Sequence, residues 1–466
     1  MRANLENELI WRRFRRNASV SVVGSGLSLA LKLGQTALLT KLLRIDDYGR
    51  LLIALNLFVF LDSFFGLRVS DVMFRFFPVL QEQKERETLQ GLLIVCLGIC
   101  LASGLIIYGG VVVASPWVSD RLYPNLALTP LFNIYGCTVL ISAFTGLYEP
   151  ILRIHDRFAS IVVPQVLGSL VTLVCLAVYL EKDVDLSVKH GYNLKVIVAI
   201  FAVGALVQNV PPLVQALRLV KPFLSGVNTK PALRALARYR SEVVGCLVNS
   251  NLSGYLKFAI SPGDLFLLGL FSSPAQTALY GLAKQLTAPL ALLQTNIQTA
   301  IMPEITALAA KRRFERLKLL VSRYLTLTFV VSSILLIPAL LLGRLLIVSW
   351  VQPEYVAALP VFYALTLAAW LMLVLVVFRP LAVSLDLLRW HSLALLASAG
   401  IVALFIVAGK LNALTMAYCQ LIEVLVLRSL FSGMVWLRLK KLEVSQTIGP
   451  REMGDAAPSG SQPSAY

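Results

Sequence analysis

The sequence predicts an all-α integral membrane protein with about twelve transmembrane helices in two six-helix lobes. Hydrophobic residues make up 58% of the 466-residue chain and charged residues only 14%. Soluble globular domains carry roughly 25% charged residues. Apolar windows of at least about 18 residues, long enough to cross a hydrocarbon core of roughly 30 Å, recur along nearly the whole chain. The composition is therefore typical of a protein that resides in a lipid bilayer.

The predicted spans fall into two sets of six. They cover residues 18–41, 48–70, 90–114, 129–152, 160–180 and 195–218, then 243–272, 277–304, 320–342, 357–385, 388–408 and 411–437. The first set predicts an N-terminal lobe at 18–218 and the second a C-terminal lobe at 243–437. Because six spans return the chain to its starting side, the lobes would be related by a pseudo-two-fold axis along the membrane normal.

Two short motifs support this duplication. Tyr48-Gly49 lies between the first and second spans, and Tyr280-Gly281 lies between the seventh and eighth, at an offset of 232 residues. Pro150 and Pro380 end the fourth and tenth spans at an offset of 230 residues. The agreement between the offsets predicts equivalent positions in two related lobes.

The basic charge of the chain is distributed as expected for a membrane protein. The net charge is +17, and the Lys and Arg residues concentrate on the side of the N-terminus, with dense groups at 12–16, 311–318 and 438–441. This positive-inside pattern predicts a cytoplasmic basic N-terminus at 1–17 and a cytoplasmic tail at 438–466. The tail is small, polar and rich in Pro and Gly, which predicts disorder. Since topology accounts for the charge, no nucleic-acid partner is expected.

The linker at 219–242 separates the two lobes on the cytoplasmic side. Lys230, Arg234 and Arg238 recur every four residues after Pro231, so one face of a short helix would be basic. The other face would carry Leu233 and Leu236. An amphipathic helix on anionic lipid and an ordinary solvated loop both fit this pattern.

The residues that metal, cofactor or enzyme chemistry needs are not arranged for it. The six cysteines lie inside predicted spans without a Cys-x-x-Cys spacing, and the three histidines have no Cys or Glu at ligand spacing. The chain has no phosphate-binding loop of the Gly-x-x-x-x-Gly-Lys-Ser/Thr type. The predicted outer loops reach only about 14 residues, which is short for a catalytic domain. We therefore expect no metal, no cofactor and no enzyme activity.

Three stretches resemble a known family. "LLTKLLRIDDYGRLLIALNLFVFLDSFFGLRVSDVMFRFFP" at 38–78, with a charged loop before the second span, resembles the start of the bacterial polysaccharide biosynthesis proteins. "DLFLLGLFSSPAQTALYGLAKQL" at 264–286, followed by "IMPEITALAAKRRFERLKLLV" at 301–321, is similar to the seventh and eighth spans of that family. With "WVQPEYVAALPVFYAL" at 350–365, the resemblance covers most of residues 15–437.

The family is that of the lipid-linked oligosaccharide flippases, within the multidrug/oligosaccharidyl-lipid/polysaccharide exporter superfamily. The resemblance implies two lobes around a central cavity in the bacterial inner membrane. It implies transport of an undecaprenyl-diphosphate oligosaccharide, such as an O-antigen or exopolysaccharide unit, from the cytoplasmic to the outer leaflet. A polysaccharide polymerase and export complex would be further partners. Peptidoglycan precursor flippases usually carry fourteen spans, so twelve spans favour the oligosaccharide branch.

Four cations inside predicted spans are candidate contacts for the diphosphate. They are Lys32, Lys257, Lys284 and Arg379. A charge at mid-bilayer costs at least about 2.5 to 3.5 kcal/mol, so each is a candidate for function. Lys32 and Lys257 each share a helix face with serines, which predicts a wet cavity. The alternative is that Lys32 and Lys284 reach the outer interface and that Lys257 pairs with Asp264.

Four acidic residues form a second candidate set. They are Asp62, Glu149, Asp264 and Glu423. Glu149 ends a polar face of the fourth span made by Tyr135, Thr138, Ser142 and Thr145. A carboxylate in this setting can carry a coupling proton or bind sodium. Equally, these acids can be structural partners of Lys257, Arg379 and Arg428.

The sequence therefore predicts a secondary transporter for an anionic substrate. Cations are at least as numerous as acids inside the spans, whereas an exporter of cationic drugs would need acids to dominate. Each negative charge moved outward across the membrane gains about 2.3 kcal/mol per 100 mV. Alternating access of the two lobes would carry the headgroup across. A multidrug antiporter of the same superfamily and a non-transport component of glycan assembly are the alternatives.

Overall fold

The computed structural model describes residues 2–122, 129–182, 193–225, 228–258, 263–385 and 387–448. The described residues are helical and form no β-strand, which confirms the all-α prediction. The first half holds α1 Arg2–Leu42, α2 Ile45–Phe65, α3 Val69–Glu82, α4 Arg86–Leu122, α5 Thr129–Gly136, α6 Val139–Ser142, α7 Thr145–Ile154, α8 Ala159–Lys182 and α9 Leu194–Leu224.

The second half begins with the linker helix. It holds α10 Thr229–Ala237, α11 Arg240–Phe258, α12 Asp264–Phe271, α13 Pro274–Ala310, α14 Phe314–Ser349, α15 Leu359–Val374, α16 Phe378–Ser384, α17 Leu388–Val407, α18 Ala413–Ile422 and α19 Ser429–Ile448. Short 3₁₀-helices lie at Pro353–Ala358 and Leu375–Val377, and a π-helix lies at Glu423–Arg428. Residues 449–466 of the predicted tail lie outside the described residues.

Eight stretches of the described residues are long and apolar enough to cross a membrane. They are Ser19–Leu42, Arg86–Val113, Thr129–Ile154, Ala159–Tyr179, Leu194–Leu224, Phe314–Ser349, Pro353–Ala382 and Ala413–Glu443. The other four predicted spans correspond to α2, to α11 with α12, to α13 and to α17. Two of these, α2 and α13, carry polar side chains that line the cavities described below.

The turn between α1 and α2 is shorter than the predicted charged loop. Only Leu43 and Arg44 separate the two helices, and Asp46 and Asp47 lie in the first turn of α2. Acidic side chains are favourable at a helix N-terminus, where the backbone N–H groups leave a partial positive charge. The charges that suggested a loop therefore stabilise the start of a helix.

Helices α2 and α13 cross where the two Tyr-Gly motifs lie. A Cβ on Gly49 would stand 1.9 Å from the Pro274 carbonyl oxygen, and a Cβ on Gly281 would stand 2.3 Å from the Leu52 side chain. Both glycines thus permit close approach of the equivalent helices of the two halves. Positions matched by sequence offset lie at one inter-lobe contact, as expected for related lobes.

We call this region the hairpin end; it comprises the turn Leu43–Arg44, the start of α13 and the 3₁₀-helix Pro353–Ala358. The rings of Tyr48 and Tyr355 contact edge to face at 6.1 Å. The Tyr355 hydroxyl donates to the Leu43 carbonyl at 3.2 Å, and Gln352 Nε2 donates to the Lys41 carbonyl at 3.0 Å. One apolar cluster includes residues of both halves here. The two halves are therefore joined at the hairpin end.

The opposite end, which we call the linker end, carries α10 and has two separate apolar clusters. One is built from α3, α4, α7, α9, α10 and the start of α11, and the other from α13, α14, the 3₁₀-helix Leu375–Val377, α16 and α19. In α10, Ala232 and Leu236 are buried against α4, whereas Lys230, Arg234 and Arg238 are exposed. The predicted basic helix is present, with Leu233 exposed beside the basic residues instead of on the opposite face.

Candidate functional site

A cavity of about 520 Å³ lies between the two halves, bounded by α1, α2, α13, α15, α18 and the π-helix. We call it the central cavity. Its polar lining consists of Lys32, Gln35, Thr36, Asn56, Lys284, Gln285, Thr287, Gln420, Glu423 and Arg428. Three of these side chains are cations and one is a carboxylate. The cavity thus brings together charges that lie almost 400 residues apart in the sequence.

Lys32 contributes a cation to the central cavity from α1. Among the described residues, no carboxylate lies within ion-pairing distance of its ammonium. Much of the polar stripe predicted beside it serves packing: Gln35 Nε2 donates to the Ser169 carbonyl at 2.7 Å, and Ser28 and Ser169 hydroxyls are 3.1 Å apart. These bonds hold α1 against α8. Lys32 is the charged member of this stripe and lines the cavity.

Lys284 reaches the central cavity from α13 but is held by Asp264. Its ammonium donates to both carboxylate oxygens, at 2.5 and 2.7 Å. Tyr280 Oη and Gln420 Nε2 each donate to Asp264 Oδ2 at 2.8 Å. Asp264 is fully buried at the N-terminus of α12, and the backbone N–H of Leu265 also donates to it. A buried carboxylate needs this many donors to offset the loss of its hydration.

Asp264 has an ion-pair partner that the sequence did not indicate. Lys284, 20 residues away on another helix, is its ion-pair partner among the described residues. Lys257 lies near the end of α11, and its side chain lies outside the described residues. The pairing of Asp264 with Lys284 was not predictable, because contacts between different helices do not follow helical periodicity.

Glu423 and Arg428 form a second ion pair at the central cavity. Arg428 Nε donates to Glu423 Oε1 at 2.7 Å, and Glu423 is only 1% exposed. The two residues bound the π-helix, whose wider turn brings positions five apart to the same side. In an α-helix they would point apart, so sequence periodicity gave no reason to place Arg428 at the cavity.

Arg379 lies at the start of α16, between a 3₁₀-helix and Pro380. It is exposed and is not part of the lining of the central cavity.

A second cavity of about 360 Å³ lies within the first half, between α2 and α5 to α9. We call it the first-half cavity. Its polar lining is Asp62, Tyr135, Thr138, Ser142, Thr145, Tyr148, Glu149, Gln165, Gln208 and Asn209, without a lysine or arginine. The predicted polar face of the fourth span faces this cavity, although the span is divided into α5, α6 and α7. Glu149 pairs with Arg153 at 3.1 Å. Among the described residues, Asp62 has no ion-pair partner.

A sequence family and several solved structures match the chain. Residues 38–181 match the family described as polysaccharide biosynthesis protein. No curated protein matches the chain by sequence. An inward-facing multidrug resistance MATE family transporter of the MOP superfamily is 14% identical, with a TM-score of 0.66 over 90% of this chain and 96% of that chain.

Two further structures share this fold. The lipid II flippase MurJ, in an inward closed conformation, is 12% identical, with a TM-score of 0.64 over 91% of this chain and 92% of that chain. A MOP superfamily transporter from Pyrococcus furiosus, in which reverse polarity of the binding pocket suggests a different function, is 13% identical, with a TM-score of 0.58 over 92% and 96% of the chains. The resemblance inferred from the sequence is confirmed at residues 38–181, and the chain shares the two-lobe fold of these solved membrane proteins.

Proposed function

We propose that this protein is a transporter that flips an undecaprenyl-diphosphate-linked oligosaccharide from the cytoplasmic to the outer leaflet of a bacterial inner membrane. The observation that carries the proposal is the central cavity. Lys32 lines this cavity, and among the described residues no carboxylate pairs with its ammonium. A diphosphate that leaves water needs charge-assisted donors, and lysine and arginine provide them. The match of residues 38–181 to polysaccharide biosynthesis proteins supports a glycan as cargo.

The charge balance of the central cavity favours an anionic substrate over a cationic drug. Lys284 and Arg428 are each opposed by one carboxylate, whereas Lys32 has none among the described residues. The P. furiosus transporter, with its reverse pocket polarity, indicates that pocket charge varies within this fold. Expulsion of a negative headgroup from a negative cytoplasm gains about 2.3 kcal/mol per charge and 100 mV, so no ATP site is needed.

Alternating access is the proposed mechanism. The hairpin end, which we assign to the outer side, is closed by the contacts of Tyr48, Gly49 and Tyr355. The linker end, assigned to the cytoplasm, has separate clusters in the two halves and carries the basic residues of α10. The headgroup would enter at the linker end, and the polyprenyl tail would stay in lipid. A polymerase and export complex would receive the product.

We assign the four candidate cations and the four acids different roles. Lys32, Lys257, Lys284 and Arg379 would contact the diphosphate in succession. Asp62 and Glu149 line the first-half cavity and are the proposed ion-coupling residues, and the Arg153 side chain that pairs with Glu149 is itself exposed. Asp264 and Glu423 already accept bonds from cations, so they would act mainly as counter-ions.

The test is surface glycan production by a strain that depends on this protein. Lys32→Ala and Lys257→Ala should each lower surface glycan and leave lipid-linked glycan in the inner leaflet. Lys410→Ala, an exposed lysine after α17, is the matched control and should behave as wild type. Membrane insertion of each variant is checked by immunoblotting of membranes. Wild-type glycan levels in both cavity variants would overturn the proposal.

A multidrug antiporter is the second candidate, because the acidic first-half cavity is suited to a cation. Drug resistance on overexpression in a strain that makes no surface glycan would favour this function. Loss of that resistance in Asp62→Asn, with unchanged resistance in Lys32→Ala, would assign drug transport to the acidic cavity. The flippase proposal expects no such resistance.

A further inference from the structure

Helix α10 packs on the first half, although it lies in the linker between the two halves. Ala232 and Leu236 are buried against the start of α4. A Cβ on Gly91 of α4 would stand 2.3 Å from the Ala232 carbonyl oxygen, so this close approach of the two helices requires a glycine. Helix α10 is therefore a fixed part of the first half and not a solvated loop.

Hydrogen bonds at both ends of α10 also tie it to the start of α4. Before the helix, Gln90 Nε2 donates to the Phe223 carbonyl at 2.7 Å. After the helix, Tyr239 Oη donates to Glu85 Oε1 at 3.2 Å. A surface held in this way loses little conformational entropy when a ligand binds to it.

The exposed face of α10 is basic and has an apolar edge. Lys230, Arg234 and Arg238 are exposed, and among the described residues no carboxylate lies within ion-pairing distance of them. Leu233, which is 43% exposed, and Ala237 lie beside these cations. A basic stripe next to exposed apolar residues is typical of a helix that lies at a membrane surface.

The position of α10 along α4 corresponds to the surface of the bilayer. The apolar span on α4 is Arg86–Val113. Gly91, which contacts α10, lies about 8 Å along the helix from the first residue of this span. Interfacial helices lie about 5 to 10 Å into the boundary between headgroups and acyl chains. Helix α10 therefore crosses α4 at the depth of the lipid headgroups.

Membrane topology alone does not account for this surface. Residues 218–240 contain six lysines and arginines and no aspartate or glutamate. The positive-inside rule depends on the number of such cations and not on their alignment along one face of a helix. A soluble acidic partner would contact the cations but not an apolar edge at headgroup depth. An anionic lipid contacts both, because it carries a charged headgroup and an acyl chain.

We propose that the exposed face of α10, formed by Lys230, Leu233, Arg234, Ala237 and Arg238, binds anionic phospholipid at the linker end. Lipid phosphates contact the three cations, and an acyl chain contacts Leu233. Because α10 is fixed to α4, the bound lipid anchors the first half to the bilayer surface. None of the five residues lines either cavity, and the binding of lipid does not depend on which cargo the protein carries.

Fluorescence quenching in proteoliposomes of the full-length protein tests this surface. A fluorophore is attached to Ala237→Cys in a Cys137→Ser background, since Cys137 is exposed. Phosphatidylglycerol and phosphatidylcholine, each with a nitroxide close to its headgroup, are compared as quenchers. Phosphatidylglycerol should quench several-fold better than phosphatidylcholine. The same fluorophore at Leu345→Cys, an exposed position of α14, should be quenched equally by both lipids.

Removal of the basic stripe should abolish most of this preference. The triple variant Lys230→Gln/Arg234→Gln/Arg238→Gln should lower the preference for phosphatidylglycerol at Ala237→Cys about tenfold or more. The reason is that each cation near an anionic surface contributes a factor of about five. Raised salt concentration should lower the preference in wild type and have little effect in the triple variant, because exposed charges are screened.

A matched control removes the same charge from exposed positions elsewhere at the linker end. It is the triple variant Lys311→Gln/Arg312→Gln/Arg316→Gln, which should keep the wild-type preference. An equal loss in both triple variants would show that the total charge of the linker end attracts the lipid, and it would overturn the proposed surface. Wild-type preference in the α10 variant overturns it as well.

Two further outcomes contradict lipid binding at α10. Absence of quenching by both lipids would place the exposed face in water, as expected for a soluble acidic partner. Equal quenching by both lipids in wild type would show that the surface does not select an anionic headgroup. Gel filtration checks folding. If the α10 triple variant does not fold, Arg234→Gln alone should lower the preference about fivefold, and an unchanged preference in it overturns the proposal.

Discussion

The two cavities are both lined by hydroxyl and amide side chains, but they carry opposite charge. The central cavity has three lining cations and one lining carboxylate, whereas the first-half cavity has two carboxylates and no lining cation. The central cavity uses elements of both halves, and the first-half cavity uses elements of one. A site between lobes changes its access when the lobes move, and a site within a lobe can bind an ion in every state. The difference suggests that the central cavity binds the cargo and that the first-half cavity binds the coupling ion.

The largest expected effect concerns the charge network of the central cavity. Asp264→Asn leaves Lys284 without its counter-ion, and removal of one partner of a buried pair costs about 3 to 5 kcal/mol. Thermal unfolding of the detergent-solubilised protein should therefore occur at a clearly lower temperature. In the double variant Asp264→Asn/Lys284→Met, the unfolding temperature should return most of the way to that of wild type, because the uncompensated charge of Lys284 is gone.

Glu354→Gln, at an exposed acid of the hairpin end, is the control and should unfold like wild type. An equal loss in the single and the double variant would contradict the assignment, because it would indicate that packing and not charge dominates the network.

Closure of the hairpin end should affect the central cavity and leave the first-half cavity unchanged. Gly49→Ala places a methyl group where the Pro274 backbone lies, and overpacking of this kind costs about 1 to 3 kcal/mol. A cysteine at Lys32 in this variant should react faster with an outside thiol reagent, and a cysteine at Thr145 should not change.

Two other glycine variants serve as comparisons for Gly49→Ala. Gly281→Ala meets only the end of the Leu52 side chain and should have a smaller effect, since a side chain can move. Gly98→Ala, where nothing lies within 4 Å, should leave reactivity unchanged. Equal reactivity in all three variants would show that the α2–α13 crossing does not close the cavity.

A reciprocal pair of substitutions separates the two cavities by function. Lys32→Gln should lower glycan transport in proteoliposomes about tenfold, a loss expected when one phosphate contact is removed, but keep the response to the coupling ion. Asp62→Asn should remove that response and leave pyrophosphate affinity unchanged. If either variant changes both properties equally, the division of cargo and coupling between the cavities is wrong.

The sequence predicted the helices and the duplication better than the partners of the charges. Hydropathy indicated the spans, and the offset of Tyr48-Gly49 from Tyr280-Gly281 indicated equivalent positions that do lie at one crossing. Arg428 could not be placed at the cavity because its position depends on a π-helix, and the pairing of Lys284 with Asp264 depends on how α12 packs against α13. Both depend on tertiary packing, which periodicity does not contain.

The smallest expected effect is that of a single hydrogen bond at the hairpin end. Tyr355→Phe removes the hydroxyl that donates to the Leu43 carbonyl but keeps the ring against Tyr48. The loss should be about 0.5 to 1.5 kcal/mol, visible as a slight rise in reactivity of a cysteine at Lys32 and a small fall in unfolding temperature. Tyr363→Phe, at a more exposed tyrosine of α15, serves as the control.

Since Leu43 and Tyr355 belong to different halves, the bond stabilises only the state in which the hairpin end is closed. A fall in unfolding temperature without any change in cysteine reactivity would therefore show that the bond supports the fold and not the closure.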